Sequence, residues 1–173
     1  IPERELYLLR AESPNQFSDT RTHADIGLGS VRVASYIDQP GLVIETATGS
    51  MNAARYHEWA EPLRESLRTL LANDIAAAAG QPVRPRSYGE TNWKRYTSRL
   101  IDIAIEQMHG TADGDALLVA YWAVLDPEKR TIISEHQFSE RQALTVSGYP
   151  ALIDAQKRLL ADLASEIAGS LDL

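Results

Sequence analysis

The spacing of apolar residues along the chain predicts a mixed α/β domain. Two long stretches, residues 59–79 and 150–171, place apolar side chains every three or four positions, as amphipathic helices do. Three shorter apolar stretches, residues 5–10, 26–33 and 42–46, are typical of strands. More strands are predicted between the two helices, so the expected order is strands, helix, strands, helix.

The region between the predicted helices has the clearest strand pattern. Residues 96–108 alternate between isoleucine and polar or small side chains, which indicates a strand with one buried face. Residues 116–125 are apolar at both parities, which favours a central strand covered on both faces. Turns at 109–115 and 126–129 and a return strand at 131–138 complete this group.

Proline, glycine and small polar residues mark the boundaries of these elements. Pro62 suits the first turn of the first helix, and Gly80 suits its C-terminal end. Residues 35–40 are expected to form a turn or a single helical turn, because the final proline disfavours helix in the residue before it. Residues 11–23 and 81–92 are predicted to be loops.

Composition limits the class of protein. The chain has 173 residues, no cysteine and a formal charge of −7, with 17 Lys and Arg against 24 Asp and Glu. We therefore expect a single domain over residues 1–173, without disulfides, thiol catalysis or cysteine-ligated zinc. The acidic balance argues against a nucleic-acid partner, since such proteins usually carry a basic face. No apolar run approaches the roughly 18 residues that a membrane-spanning helix needs.

A glycine-rich stretch invites a phosphate-binding interpretation that the sequence does not support. Gly27 and Gly29 lie two residues apart, but a dinucleotide-binding fingerprint needs a third glycine where Arg32 stands and a helix after it. Here a strand continues. The pattern therefore predicts a bulged strand or a close approach of two backbones.

The residue types that usually form metal or catalytic sites are scattered. No histidine pair has ligand spacing, and the acidic turn at 113–115 lacks the spacing of a calcium loop, so no metal and no cofactor are expected. Asp102 and Glu106 are interpreted as part of a solvated strand face. A hydrolase whose residues meet only in space remains an alternative, although no G-x-S-x-G motif is present. We expect solvated or capping roles for the histidines, which are His23, His57, His109 and His136.

Several segments, taken together, resemble the ABC-type transport auxiliary lipoproteins, a PqiC-like family. The resemblance lies in the order and spacing of residues 26–31, 36–40, 42–44 and 59–63. Tyr7-Leu8-Leu9 is similar to the opening strand of that family, and the last helix is similar to its last helix. The chain differs from the family pattern at three places, which are Ala34, Glu45-Thr46 and Glu58.

This resemblance implies a fold, a location and a role. It implies a three-layer α/β sandwich with a mixed sheet and two long helices, similar to anticodon-binding and TolB N-terminal domains. It also implies a non-enzymatic lipoprotein of the Gram-negative periplasm, anchored to the outer membrane through an acylated cysteine upstream of Ile1. The implied partners are ABC transporter and MCE-family subunits of a lipid-transport system, with phospholipid and a homo-oligomeric ring as further expectations.

The functional surface is expected where aromatic residues flank the entry to the first helix. Trp59 is most simply a core anchor there, while its neighbours are candidates for contact with a partner or ligand. An alternative function is a periplasmic module that itself binds a small apolar ligand or a partner peptide. The candidate surface residues are Tyr36, Ile37, Asp38, Gln39, Pro40, Arg55, Tyr56, Trp59, Glu61 and Pro62.

Overall fold

A mixed sheet and two long helices form the protein, and the mixed α/β class is therefore confirmed. The computed structural model describes residues 1–11, 25–47, 49–85 and 97–172. The predicted loop at 11–23, except residue 11, and His23 lie outside these residues. The predicted loop at 81–92 is described only to residue 85, and there it was wrong, because Val83–Pro85 form a short strand paired with β2. The described elements are β1 (Glu5–Tyr7), β2 (Ile26–Val33), β3 (Gly41–Ala47), β4 (Ser50–Trp59), α1 (Leu63–Ala79), β5 (Val83–Pro85), β6 (Arg99–Gly110), β7 (Asp115–Asp126), β8 (Thr131–Ala143) and α2 (Tyr149–Gly169).

The sheet combines parallel and antiparallel pairs. Its main order is β1-β4-β3-β6-β2-β5, and β7 joins β6 to β8. β2 is parallel to both β5 and β6, and β1 is parallel to β4. The β3–β4, β6–β7 and β7–β8 pairs are antiparallel. Consequently β1, β5 and β8 have one neighbour each among the described strands.

The core lies between the two helices and one face of β6 and β7. Ile101, Ile103 and Ile105 are almost fully buried there, as the alternation in the sequence predicts. Each of them lies opposite a buried residue of β7 in the antiparallel register. Both helices contact this sheet and each other. The indole N–H of Trp122 donates to the Ser170 hydroxyl at 3.0 Å, which fixes the C-terminal end of α2 against β7.

The expectation that β7 is covered on both faces holds only for the helix face. Leu118, Trp122 and Val124 point to the helices and are at most 4% exposed. On the other face Tyr121 is 44% exposed, although Val119 beside it is buried. A strand can therefore carry apolar residues at both odd and even positions and still have one face open to solvent. The hydrophobic pattern alone does not distinguish this case from a strand that is buried on both faces.

The prediction for residues 59–79 was wrong at its beginning, because a strand precedes the helix. α1 begins at Leu63, after Pro62, and Trp59 ends β4 instead. β4 is mostly exposed and polar, so it has no apolar alternation; its strand conformation comes from pairing with β1 and β3. The end of α1 is as predicted: Gly80 is in the left-handed conformation with φ of 68°.

The two glycines of β2 mark a bulge, as predicted. The register with β6 shifts between Leu28 and Val31. At this point the backbone N–H of Ser30 donates to an oxygen of Asp102 at 2.8 Å. A Cβ at position 29 would collide with the same carboxylate. Asp102 therefore orders the bulge.

Gly41 is required by a close approach of β3 to β4. A Cβ at this position would collide with the backbone carbonyl of Ala54, which a rotamer change cannot relieve. We expect Gly41→Ala to lower the free energy of unfolding by about 1–3 kcal/mol.

The matched control for that variant is Gly169→Ala at the end of α2. A Cβ there meets no atom within 4 Å, so this change is expected to stabilise the protein by about 0.4–1 kcal/mol. Urea unfolding of both variants measures the difference. Equal stability of the two variants would show that the β3–β4 approach tolerates a side chain.

Candidate functional site

The two segments expected to form a functional surface meet at one open cleft beside the start of α1. The cleft has a volume of about 540 Å³ and lies between the 36–40 turn, the end of β4 and the edge strand β1. It combines six of the predicted surface residues with Arg4 and Leu6 of the N-terminal segment. The six predicted residues are Asp38, Gln39, Pro40, Trp59, Glu61 and Pro62.

Two backbone hydrogen bonds hold the cleft together. The N–H of Trp59 donates to the carbonyl of Pro40 at 2.7 Å, which joins the end of β4 to the turn. The N–H of Ala60 donates to the carbonyl of Tyr7 at 2.7 Å, which joins the same point to β1. Three segments that are distant in sequence are thereby fixed at the first turn of α1.

Glu61 is the most firmly held charge of the cleft. Its carboxylate forms an ion pair with Arg10 and accepts a hydrogen bond of 2.6 Å from the Ser66 hydroxyl. The hydrogen bond from Arg10, and then that from Ser66, lowers the pKa of Glu61 below its ordinary value. Glu61 is therefore a charged, structurally engaged group.

Two further ion pairs lie on the rim of the cleft. Arg64 contacts the Asp38 carboxylate at 3.0 Å, and Arg4 contacts Glu58 at 3.7 Å. Both arginines are more than half exposed, so each pair contributes only about 0–1 kcal/mol to stability. Every carboxylate of the lining is therefore paired with an arginine, namely Asp38 with Arg64, Glu58 with Arg4 and Glu61 with Arg10.

An apolar floor lies inside this charged rim. Trp59 is only 8% exposed and packs into the core, as its interpretation as an anchor predicts. Pro40 and Pro62 complete the floor, and Leu6 stands beside it with 61% of its surface exposed. The arrangement can accept an apolar side chain and position it with arginines and carboxylates at the edge.

The remaining predicted site residues lie outside the cleft. Ile37 is 2% exposed and packs in the core, so it offers no contact surface. Arg55 and Tyr56 are exposed on β4, and neither lines the cleft. The structure therefore places six of the ten predicted residues in the cleft, Ile37 and Tyr36 in or against the core, and Arg55 and Tyr56 on the surface of β4.

Tyr36 fixes the 36–40 turn to the sheet through a buried histidine. The Tyr36 hydroxyl accepts a hydrogen bond from the Met108 N–H at 3.0 Å and lies 2.7 Å from Nδ1 of His109. A neutral His109 ring can accept from the Tyr36 hydroxyl at Nδ1, and the lowered pKa of His109 favours that neutral ring at pH 7. Burial raises the pKa of Tyr36 and lowers the pKa of His109.

This arrangement corrects two expectations about His109. It is 3% exposed rather than solvated, and it lies in β6 rather than in the following turn. The other described histidines also stack on aromatic rings. His57 lies 4.0 Å from Tyr149 and His136 lies 4.9 Å from Trp122, measured between ring centroids.

No sequence pattern indicates the aromatic cluster of Tyr7, His57 and Tyr149. The Tyr7 hydroxyl donates to Glu5 at 2.6 Å and lies 2.9 Å from Nδ1 of His57. Burial and the neighbouring Glu5 carboxylate raise the pKa of Tyr7 to about 12. The parallel pairing of β1 with β4 brings Tyr7 to His57, and the start of α2 adds Tyr149. Neither of these long-range contacts has a local sequence signal.

Two further observations concern metals and membranes. Within residues 1–11, 25–47, 49–85 and 97–172, no group of three or more His, Asp or Glu side chains is arranged to hold a metal ion. In the same part of the chain, neither helix combines the length and apolar character required to cross a bilayer.

The structure combines a mixed α/β fold with a candidate site in the cleft at the start of α1. A family model matches residues 7–168, and its description is "ABC-type transport auxiliary lipoprotein component". The chain belongs to this family. A search of curated proteins gives no significant match.

Solved structures show the same fold at low sequence identity. An uncharacterized protein is 18% identical, with a TM-score of 0.75, over 96% of this chain and 97% of its own. A Xanthomonas campestris protein of the DUF330 family is 14% identical, with a TM-score of 0.72, over 95% of this chain and 93% of its own. The PelC chain of a dodecamer from Paraburkholderia phytofirmans is 14% identical, with a TM-score of 0.53, over 88% of this chain and 93% of its own.

The buried neutral state of His109 predicts a pH dependence of stability. The unfolded chain protonates this histidine as the pH falls through about 6.5, whereas burial resists protonation in the folded protein. The His109 contribution is therefore complete above pH 6.5 and decreases as the pH falls toward the lowered folded-state pKa. When the pH is lowered from neutral to mildly acidic, the free energy of unfolding should decrease less in the His109→Gln variant than in the wild type.

Urea unfolding of both proteins at the two pH values measures this difference. Circular dichroism at neutral pH first establishes that the variant is folded. An identical loss of stability in the two proteins would contradict a buried neutral His109.

Proposed function

We propose that this protein is a non-enzymatic periplasmic lipoprotein subunit of an MCE-linked ABC-type lipid-transport system. It is anchored in the outer membrane and docks the periplasmic end of the transport conduit there, which supports envelope integrity. The observation that carries the proposal is the match of residues 7–168 to the transport auxiliary lipoprotein family. That family is described as a transport component rather than as an enzyme.

The proposed anchor is an acylated cysteine that precedes Ile1. Each buried CH₂ contributes about 0.8 kcal/mol to membrane binding, and a single acyl chain gives only marginal attachment. Two or three chains on one residue would hold the protein firmly. The acidic surface of the protein, with its formal charge of −7, is then compatible with a membrane location, because lipid provides the attachment.

The cleft at the start of α1 is the proposed docking site for a transporter or MCE-family subunit. Its floor offers apolar surface and its rim offers both signs of charge, a combination that is typical of protein interfaces. Arg4 and Leu6 belong to the same N-terminal segment that would lead to the anchor. The cleft would therefore face the region between the domain and the outer membrane, where a conduit ends.

A variant of Leu6 tests the cleft without disturbing the core. Leu6 is 61% exposed and lines the cleft, so Leu6→Gln removes apolar contact area while the fold is retained. We expect this variant to lose co-purification with transport subunits and to fail to restore detergent resistance in a deletion strain. Both effects follow from the loss of an apolar anchor for the partner.

Met51→Gln is the matched control for this experiment. Met51 is 45% exposed on β4, outside the cleft, so the same chemical change should leave partner binding and detergent resistance intact. If both variants behave like the wild type, the cleft is not the docking site. If the deletion itself has no envelope phenotype, even when related transport systems are also removed, the transport role is contradicted.

We also propose that several copies surround the conduit axis as a ring that exposes a path for phospholipid. A conduit has an axis, and a ring of accessory subunits would match it. A PelC structure with the same fold is a dodecamer, which supports the proposal by analogy of fold alone. Light scattering of the acylated protein in detergent is expected to give the mass of at least three copies, and a monomer or a dimer would contradict the ring.

A second apolar cleft supports the alternative function, the direct binding of a small apolar ligand. It has a volume of about 530 Å³ and lies between β3, the β6–β7 turn and the start of α2. Ile44, Leu144, Val146 and Leu152 line it, and Val146 is 67% exposed. Native mass spectrometry of protein purified from membranes decides this: a stoichiometric lipid that Val146→Asp removes would favour the alternative.

A further inference from the structure

The strand β8 forms a long open edge of the sheet. It has 13 residues and pairs with β7 along its whole length, and no other described strand lies beyond it. Among the described residues, no strand pairs with the outer backbone N–H and C=O groups of β8, and an edge of this kind is the usual route for edge-to-edge association. The other edge strands, β1 and β5, have only three residues each.

The side chains of β8 are divided between the two faces of the sheet. Glu135 and Arg141 lie opposite Ala123 and Leu117 of β7, so both project on the open face. His136 and Glu140 belong to the opposite parity and project on the helix face. In the described part of the chain neither Glu135 nor Arg141 forms an ion pair, and both are exposed.

The charge pattern of β8 is complementary to itself in the antiparallel direction. When two copies pair about a two-fold axis through Phe138, Glu135 of each copy lies opposite Arg141 of the other. The same register places His136 opposite Glu140, and two polar amide and hydroxyl side chains, Gln137 and Ser139, opposite each other. Directly opposed residues of antiparallel strands are in side-chain contact, and opposite charges there are favourable.

Neighbouring registers lack this complementarity. Because the two-fold axis is normal to the sheet, the helix face of one copy continues into the helix face of the other. Each alternative register of this kind has its axis through a different residue of β8. Centring on Gln137 places Arg141 opposite Ile133, and centring on Ser139 places Arg141 opposite Gln137. Centring on Glu135 brings two glutamates together. The pattern therefore specifies one register, as edge pairing between identical strands requires.

We propose that β8 is an interface with a second copy of this chain, paired antiparallel about Phe138. The sheets of the two copies form one continuous sheet, with α2 of each copy on the same side. Two Glu135–Arg141 pairs on the open face select the partner and the register, and on the helix face each His136 lies opposite Glu140 of the other copy. Such an isologous contact closes at two copies, so the ring proposed above would require an additional surface.

Charge reversal tests this pairing directly. Glu135→Arg places two like-charged pairs in the homodimer, and Arg141→Glu does the same with opposite sign. Each variant is expected to raise the dimer dissociation constant by at least about tenfold in sedimentation velocity. The double variant Glu135→Arg/Arg141→Glu restores opposite charges at both positions and should dimerise like the wild type.

Mixing the two single variants gives the sharpest outcome. A Glu135→Arg copy and an Arg141→Glu copy form only attractive pairs with each other, so the mixture should form heterodimers that neither variant forms alone. A tag on one copy and mass spectrometry of the captured partner detect them. This readout does not depend on any transport partner, so its failure leaves the proposed function in place.

The matched control is Asp162→Arg, which makes the same change of charge on the exposed face of α2. It should leave self-association unchanged. A wild-type protein that stays monomeric throughout the micromolar range would overturn the proposal. So would a Glu135→Arg variant that associates as strongly as the control.

Discussion

The backbone junction at the end of β4 determines the arrangement of the candidate site. Two N–H groups in succession, those of Trp59 and Ala60, donate to the carbonyls of Pro40 and Tyr7. These two bonds hold the end of β4 against the 36–40 turn and β1. α1 begins directly after Pro62. Burial of the Trp59 indole stabilises this junction from the core side. The cleft exists because three chain segments converge where one strand ends.

A buried hydrogen-bonded pair supports the same region from within. Tyr36 and His109 connect the 36–40 turn to β6, and both polar groups have partners despite their burial. Buried groups of this kind are costly when left unpaired, so the pair holds the turn in one position. The 36–40 turn contributes Asp38, Gln39 and Pro40 to the cleft, so this pair supports the cleft from inside the domain.

The sequence was sufficient for the elements that bury an apolar face. The periodicity of α2 and the isoleucine alternation of β6 gave their types and approximate bounds because burial selects those residues directly. β4 could not be predicted, since its side chains are mostly exposed and its conformation depends on pairing with other strands. The 36–40 turn could be identified from its final proline, but the start of α1 was predicted four residues too early. The contribution of Arg4 and of Leu6 in β1 depends on the pairing of β1 with β4, so it could not be predicted either.

The central claim is that the cleft at the start of α1 binds the transport machinery. The most direct measurement places a photo-crosslinking amino acid at Gln39, an exposed residue of the cleft, in the acylated protein in living cells. The same residue placed at Glu128, in the distant β7–β8 turn, serves as the reference. The account predicts crosslinks to transporter or MCE-family subunits from position 39 and none from position 128. Crosslinks to such subunits from position 128 alone, or from neither position, would contradict it.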